Sequence, residues 1–61
     1  MDERGVPRAL WSVREVAAYL HVPAKTIYSW RSRGLGPPAF RLGRHLRFRP
    51  LEVEEWIAEH R

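Results

Sequence analysis

The sequence predicts a small α+β fold, mostly helical, in which two short helices joined by a tight turn are followed by a two-stranded hairpin and a closing helix. Three observations predict it. Apolar residues recur at helical spacing over 13–20 and again over 53–57, each run behind a recognisable start signal. Pro23, Gly34, Gly36, Pro37 and Pro38 interrupt helix between those runs. Residues 39–48 alternate with a two-residue rhythm around Gly43, which is the pattern of a hairpin. The chain has 61 residues; a chain of that size forms one domain and buries only about 60% of the surface its unfolded form exposes. It has no Cys, so neither disulfides nor a Cys-based zinc site can staple the core. That task falls to the aromatics, Trp11, Tyr19, Tyr28, Trp30, Phe40, Phe48 and Trp56.

The first helix should begin at Ser12. Ser12 and Glu15 have the S-x-x-E spacing of a capping box, and Trp11 and Val16 occupy the two positions of a hydrophobic staple. Val13, Val16, Ala17 and Leu20 then follow the i, i+3, i+4, i+7 rule, and His21, Val22 and Pro23 make the break. Proline suits a first helical turn and glycine a left-handed cap, so the second helix is expected from about Pro23 to Gly34. At about 100° per residue, Ala24, Ile27, Trp30 and the stem of Arg31 share its inner face. Lys25, Thr26, Tyr28, Ser29, Ser32 and Arg33 form the outward arc. Two helices joined by such a short turn, the second presenting small polar and basic side chains, constitute a helix-turn-helix arrangement.

Parity decides the expected loop of the hairpin. A three-residue loop Gly43-Arg44-His45 pairs Leu42 with Leu46 and Phe40 with Phe48, which puts all four apolar residues on one face. A two-residue Gly43-Arg44 turn pairs Leu42 with His45 and splits them. The longer loop is therefore expected, with Arg41 and Arg47 on the solvent face and Arg44 and His45 at the tip of a basic wing. Pro50 opens the last helix, in which Val53, Trp56 and Ile57 form the buried stripe and Glu52, Glu54, Glu55 and Glu59 are mostly solvated. Residues 1–9 show no period to bury and are expected to be a flexible tail, with the folded domain spanning 10–61.

Charge points to the partner. From Lys25 to Arg49 there are seven basic residues, Lys25, Arg31, Arg33, Arg41, Arg44, Arg47 and Arg49, and no carboxylate. The window is thus +7 and the remainder −3 of a net charge of +4. Such one-sided polarity fits a polyanion, and double-stranded DNA is the first candidate. Because a carboxylate face repels phosphate, the acidic last helix should pack behind the second helix, away from DNA. Lys25, Thr26, Ser29 and Arg33 are placed to reach major-groove edges or nearby phosphates. Tyr28 flanks them, where its hydroxyl suits a phosphate and fixes register. Arg44 at the wing tip, with Arg41, His45 and Arg47, suits the adjacent minor groove. If about four to six phosphates are neutralised, log K should fall against log salt with a slope of about −4 to −5. Trp11, Trp30, Trp56, Phe40 and Phe48 fall on apolar stripes and are read as core, not as base-stacking platforms.

Other function classes find little footing. His21, His45 and His60 are dispersed, with no HxH or i, i+4 pair, so no metal site is expected. No Gly-rich phosphate loop, paired carboxylates or Arg/His constellation around Tyr19 or Tyr28 suggests catalysis, and no enzyme, cofactor or small-molecule ligand is expected. No apolar run reaches the length of a signal-peptide core or a membrane span, so a cytoplasmic protein without a membrane partner is expected.

The order of these pieces resembles the short winged helix-turn-helix proteins of the excisionase type, related to the DNA-binding part of MerR regulators. Trp11-Ser12-Val13-Arg14-Glu15-Val16-Ala17-Ala18-Tyr19-Leu20 matches the helix-one signature and Lys25-Thr26-Ile27-Tyr28-Ser29-Trp30 the reading helix. Arg41-Leu42-Gly43-Arg44-His45-Leu46-Arg47-Phe48 matches the wing, and Val53-x-x-Trp56-Ile57 the final helix. Together they cover about residues 10 to 60. The chain departs from the family turn, usually Gly-Val-Ser, with His21-Val22-Pro23; His must then adopt positive φ and Pro must open a helix without a capping hydroxyl. The resemblance implies a recombination directionality factor of a phage or mobile element. Such proteins bind repeated sites beside an attachment site, cooperate head to tail, bend DNA and help a tyrosine integrase to excise. A small MerR-like transcriptional regulator at an operator is the alternative, and an adaptor docking a partner through its acidic helix is a third reading.

Overall fold

The computed structural model describes residues 10–60; the expected tail over 1–9 and Arg61 lie outside the described residues. Helix α1 spans Val13–Leu20 and starts as its capping residues dictate. The Glu15 N–H donates to Ser12 Oγ at 3.2 Å and the Ser12 N–H donates to Glu15 Oε1 at 2.8 Å, closing a reciprocal capping box. Its end is a Schellman motif on an unusual residue. His21 sits in the left-handed region at φ 60°, its N–H donating to the Ala18 carbonyl and that of Val22 to the Ala17 carbonyl.

Helix α2 spans Ala24–Ser32, one residue inside the expected start. Pro23 is its N-cap and supplies no side-chain hydrogen bond. It ends on the same motif as α1, with Gly34 at φ +74° and the Leu35 N–H donating to the Trp30 carbonyl at 2.7 Å. Gly36, at φ +87°, then turns the chain tightly against Trp30: a Cβ there would lie 3.3 Å from both Cβ and Cε3 of that indole.

Strands β1 (Phe40–Leu42) and β2 (His45–Arg47) form an antiparallel hairpin, and helix α3 spans Pro50–Glu59 with Pro50 in its first turn. Three helices and one two-stranded hairpin in this order make a winged helix-turn-helix. The register, however, corrects the expected loop. Phe40 pairs with Arg47, Arg41 with Leu46 and Leu42 with His45, so the turn is the two-residue Gly43-Arg44. Gly43 has φ +61° while Arg44 is not among the positive-φ residues, as a type II′ turn requires.

The reason lies outside the hairpin. The Phe48 N–H and carbonyl are both taken by Trp11, in two backbone hydrogen bonds of 2.9 Å. Phe48 is therefore unavailable to Phe40, and its ring is buried in the core instead. The apolar residues of the hairpin are split as parity demands. Leu46 packs on the core with Phe48, whereas Leu42 stays 50% exposed. Phe40 is half-buried and receives the Arg49 guanidinium at 4.5 Å from its ring centroid.

One core joins all the elements: Val13, Val16 and Ala17 of α1, Ile27 of α2, Phe48, and Val53 of α3. Trp11, Leu20, Trp30 and Ile57 close its rim, partly buried. Trp30 and Trp56 meet at 5.6 Å between ring centroids, which fastens α3 to α2, while Trp11 and Tyr19 meet at 5.0 Å. The Tyr19 hydroxyl donates to Glu54 Oε2 at 3.4 Å, linking α1 to α3. The aromatics thus serve mainly as a collar around a small aliphatic centre. No helix among the described residues is long and apolar enough to cross a membrane.

Candidate nucleic-acid interface

The sequence places Lys25, Tyr28, Ser29 and Arg33 on one side of α2, and all four are exposed there. Thr26 is half-buried, its N–H donating to the Pro23 carbonyl at 2.9 Å in the first turn of the helix. Ser32 is exposed and donates its hydroxyl to the Ser29 carbonyl at 2.9 Å. Lys25, Ser29 and Ser32 follow one another at four- and three-residue spacing, so they form a single ridge of short or flexible polar side chains.

The wing adjoins that ridge through two hollows. The first lies between α2 and the hairpin and is lined by Tyr28, Arg31, Ser32, Arg41, Arg44 and Leu46. The second lies between the start of α1, α2 and the hairpin; Ser12, Arg14, Tyr28, Arg44, His45 and Arg47 contribute its polar groups. Tyr28 and Arg44 border both. Among the described residues, no carboxylate lines either one. Leu46, packed on the core, forms part of the lining of both.

Five sequence expectations change here. Arg31, expected to lay its stem on the inner face, is exposed and lines the first hollow beside Arg41 and Arg44. On the helical wheel it lies only about 40° from buried Ile27, a border at which a long side chain can turn either way. Arg47, expected on the solvent face, is half-buried and donates from Nη1 to the Leu46 carbonyl at 2.8 Å, which pins its guanidinium at the wing base. Arg14 lies outside the basic window from Lys25 to Arg49, yet it lines the second hollow. Arg49, inside the window, is turned elsewhere, over Phe40 and 3.7 Å from Glu52 Oε2. His45, opposite Leu42 in the register, belongs to β2 and not to the loop.

The electrostatic result is a basic surface drawn from three elements. The Trp11–Phe48 backbone pair fixes the wing to the start of α1, the buried Val13, Val16 and Ile27 fix α1 to α2, and the cationic side chains project from that frame. Charge held on a rigid scaffold suits an extended polyanion, because the phosphates of a duplex are themselves regularly spaced. The acidic side chains of α3 are mostly exposed, and none lines the two hollows.

No curated protein and no solved structure matches the chain significantly. A family model described as a helix-turn-helix domain matches residues 12–61, from the Ser12 cap through α3, and that family includes excisionase-like DNA-binding domains. A domain of this kind implies sequence-specific DNA binding, and the chain belongs to the helix-turn-helix domain family.

Proposed function

We propose that the protein is an excisionase, a recombination directionality factor that binds repeated sites near an attachment site, bends the DNA and promotes excision by a tyrosine integrase. The observation that carries the reading is the basic surface, free of carboxylates among the described residues, that runs from α2 onto the wing. Lys25, Thr26, Ser29 and Arg33 face the major groove, where arginine and lysine are suited to guanine O6 and N7. Tyr28 holds a phosphate and sets register. Arg41, Arg44 and His45 carry the wing toward the neighbouring minor groove, with Arg44 in the turn leading, and Arg47 adds its charge from the wing base. Gripping two grooves at once favours a bent duplex, because bending brings more backbone against the protein.

One module of this size binds weakly on its own, so head-to-tail copies on adjacent repeats supply the affinity by raising effective concentration. A gel-shift titration on DNA flanking the source element's integrase gene and attachment site, with scrambled competitor, tests the reading. A ladder of cooperative complexes on attachment-site repeats supports it. A single complex confined to a promoter supports a small MerR-like regulator instead.

A further inference from the structure

We propose that the hollow between α1, α2 and the wing seats a single phosphate of the DNA backbone, and that Arg14 of α1 is one of the residues that hold it. The inference rests on the DNA-binding reading and deepens it. It assigns a contact to the supporting helix and separates a register-setting site from the base-reading ridge of α2.

The donors converge from three directions. Arg14 enters from the first turn of α1, Tyr28 from α2, and Arg44, His45 and Arg47 from the turn and second strand of the wing. Ser12 completes the rim. Its Oγ accepts the Glu15 N–H, which leaves the hydroxyl proton free to donate. Glu15 is the carboxylate next in sequence to Arg14, and its Oε1 accepts the Ser12 N–H at 2.8 Å, so the capping box directs that negative charge into the helix start. Guanidinium, phenol and serine hydroxyl are the groups that typically hold phosphate oxygens in protein–DNA complexes.

Rigidity distinguishes this hollow from scattered surface charge. The capping box orders the turn that carries Arg14, the Trp11–Phe48 hydrogen bonds tie that turn to the wing, and the Leu46 carbonyl holds the Arg47 guanidinium. A phosphate seated there contacts α1, α2 and the wing together, so it fixes how deeply α2 lies in its groove. Arg14 is exposed and packs in no core, so its substitution separates binding from folding.

The test compares wild type, Arg14→Gln, Tyr28→Phe and Arg44→Gln by fluorescence anisotropy on a short mixed-sequence duplex and on the preferred site, across about 50 to 200 mM salt. Loss of one phosphate contact lowers the slope of log K against log salt by about 0.9 and weakens binding about eightfold at 0.1 M salt. Arg14→Gln is expected to show both, equally on the two duplexes, with an unchanged melting temperature. Tyr28→Phe, which removes only a hydroxyl, should weaken both duplexes by a smaller common factor. If Arg44→Gln weakens binding while Arg14→Gln and Tyr28→Phe leave affinity and slope unchanged, the phosphate seat is overturned and the DNA-binding reading stands. If wild type binds neither duplex at low salt, both fall.

Discussion

Gly36 offers a direct check on how the helix-turn-helix is locked to α3. At φ +87° an L-residue is strained, and an added Cβ would lie 3.3 Å from two atoms of Trp30. Gly34 provides the control, since it also has positive φ, +74°, but a Cβ there would meet nothing within 4 Å. The left-handed backbone costs an alanine about 1–2 kcal/mol, and the reduced freedom of the unfolded chain returns about 0.4–1 kcal/mol. Gly34→Ala should therefore lose about 0.5–1 kcal/mol. Gly36→Ala incurs the same backbone cost and must also displace Trp30, whose ring is held at 5.6 Å from that of Trp56. Overpacking of this kind costs about 1–3 kcal/mol, for a net loss of about 2–4 kcal/mol.

Those losses are large for so small a domain, whose total stability should be about 3–9 kcal/mol. Each kcal/mol shifts the midpoint by about 4–8 °C at this size. Far-UV circular dichroism melts should place Gly36→Ala at least about 4 °C below Gly34→Ala, with a change in tryptophan fluorescence confined to the former. Equal losses in the two variants, or a greater loss in Gly34→Ala, would refute the argument that Gly36 is required by close approach to Trp30.

Three further outcomes follow from the same structure. Ser12→Ala removes one half of the capping box and should cost about 0.5–2 kcal/mol in chemical denaturation, with Glu15→Ala showing non-additive loss in the double variant. Leu42→Thr should be neutral within about 0.5 kcal/mol because Leu42 is half exposed, whereas Leu46→Thr should cost about 1 kcal/mol or more; the reverse order would restore the three-residue loop. Arg44→Ala should weaken DNA binding in a titration while leaving the melting temperature unchanged, and an equal loss of folding would contradict its place in the wing turn.

The pattern of agreement follows the range of the interactions involved. The start of α1 is legible because a capping box is written in four consecutive residues, Ser12 to Glu15. The left-handed His21 is legible only through the resemblance, which sets it where the family turn usually carries glycine. The register of the wing is not. Alternation favours stacking Phe40, Leu42, Leu46 and Phe48 on one face, but Phe48 spends its backbone groups on Trp11, far away in sequence. That same long-range pair brings Arg14 beside the wing, so a window of charge drawn along the chain misses it. Arg31 is missed for a different reason: it lies at the edge of the apolar arc, and the hollow that receives it exists only once the hairpin has docked on α2. Lys25, Tyr28 and Ser29 lie on the exposed side because the helical period alone determines their direction, and Arg33 is exposed at the cap beyond the helix.

The central claim is that DNA meets one basic surface built from α2, the wing and the start of α1. An NMR titration of isotope-labelled protein with its preferred duplex tests it most directly. The account predicts the largest shifts at Arg14, Lys25, Tyr28, Ser29, Arg31 and Arg44, with the exposed Glu55 and Glu59 of α3 unmoved. Shifts centred on α3, with α2 and the wing unchanged at saturating DNA, would contradict it.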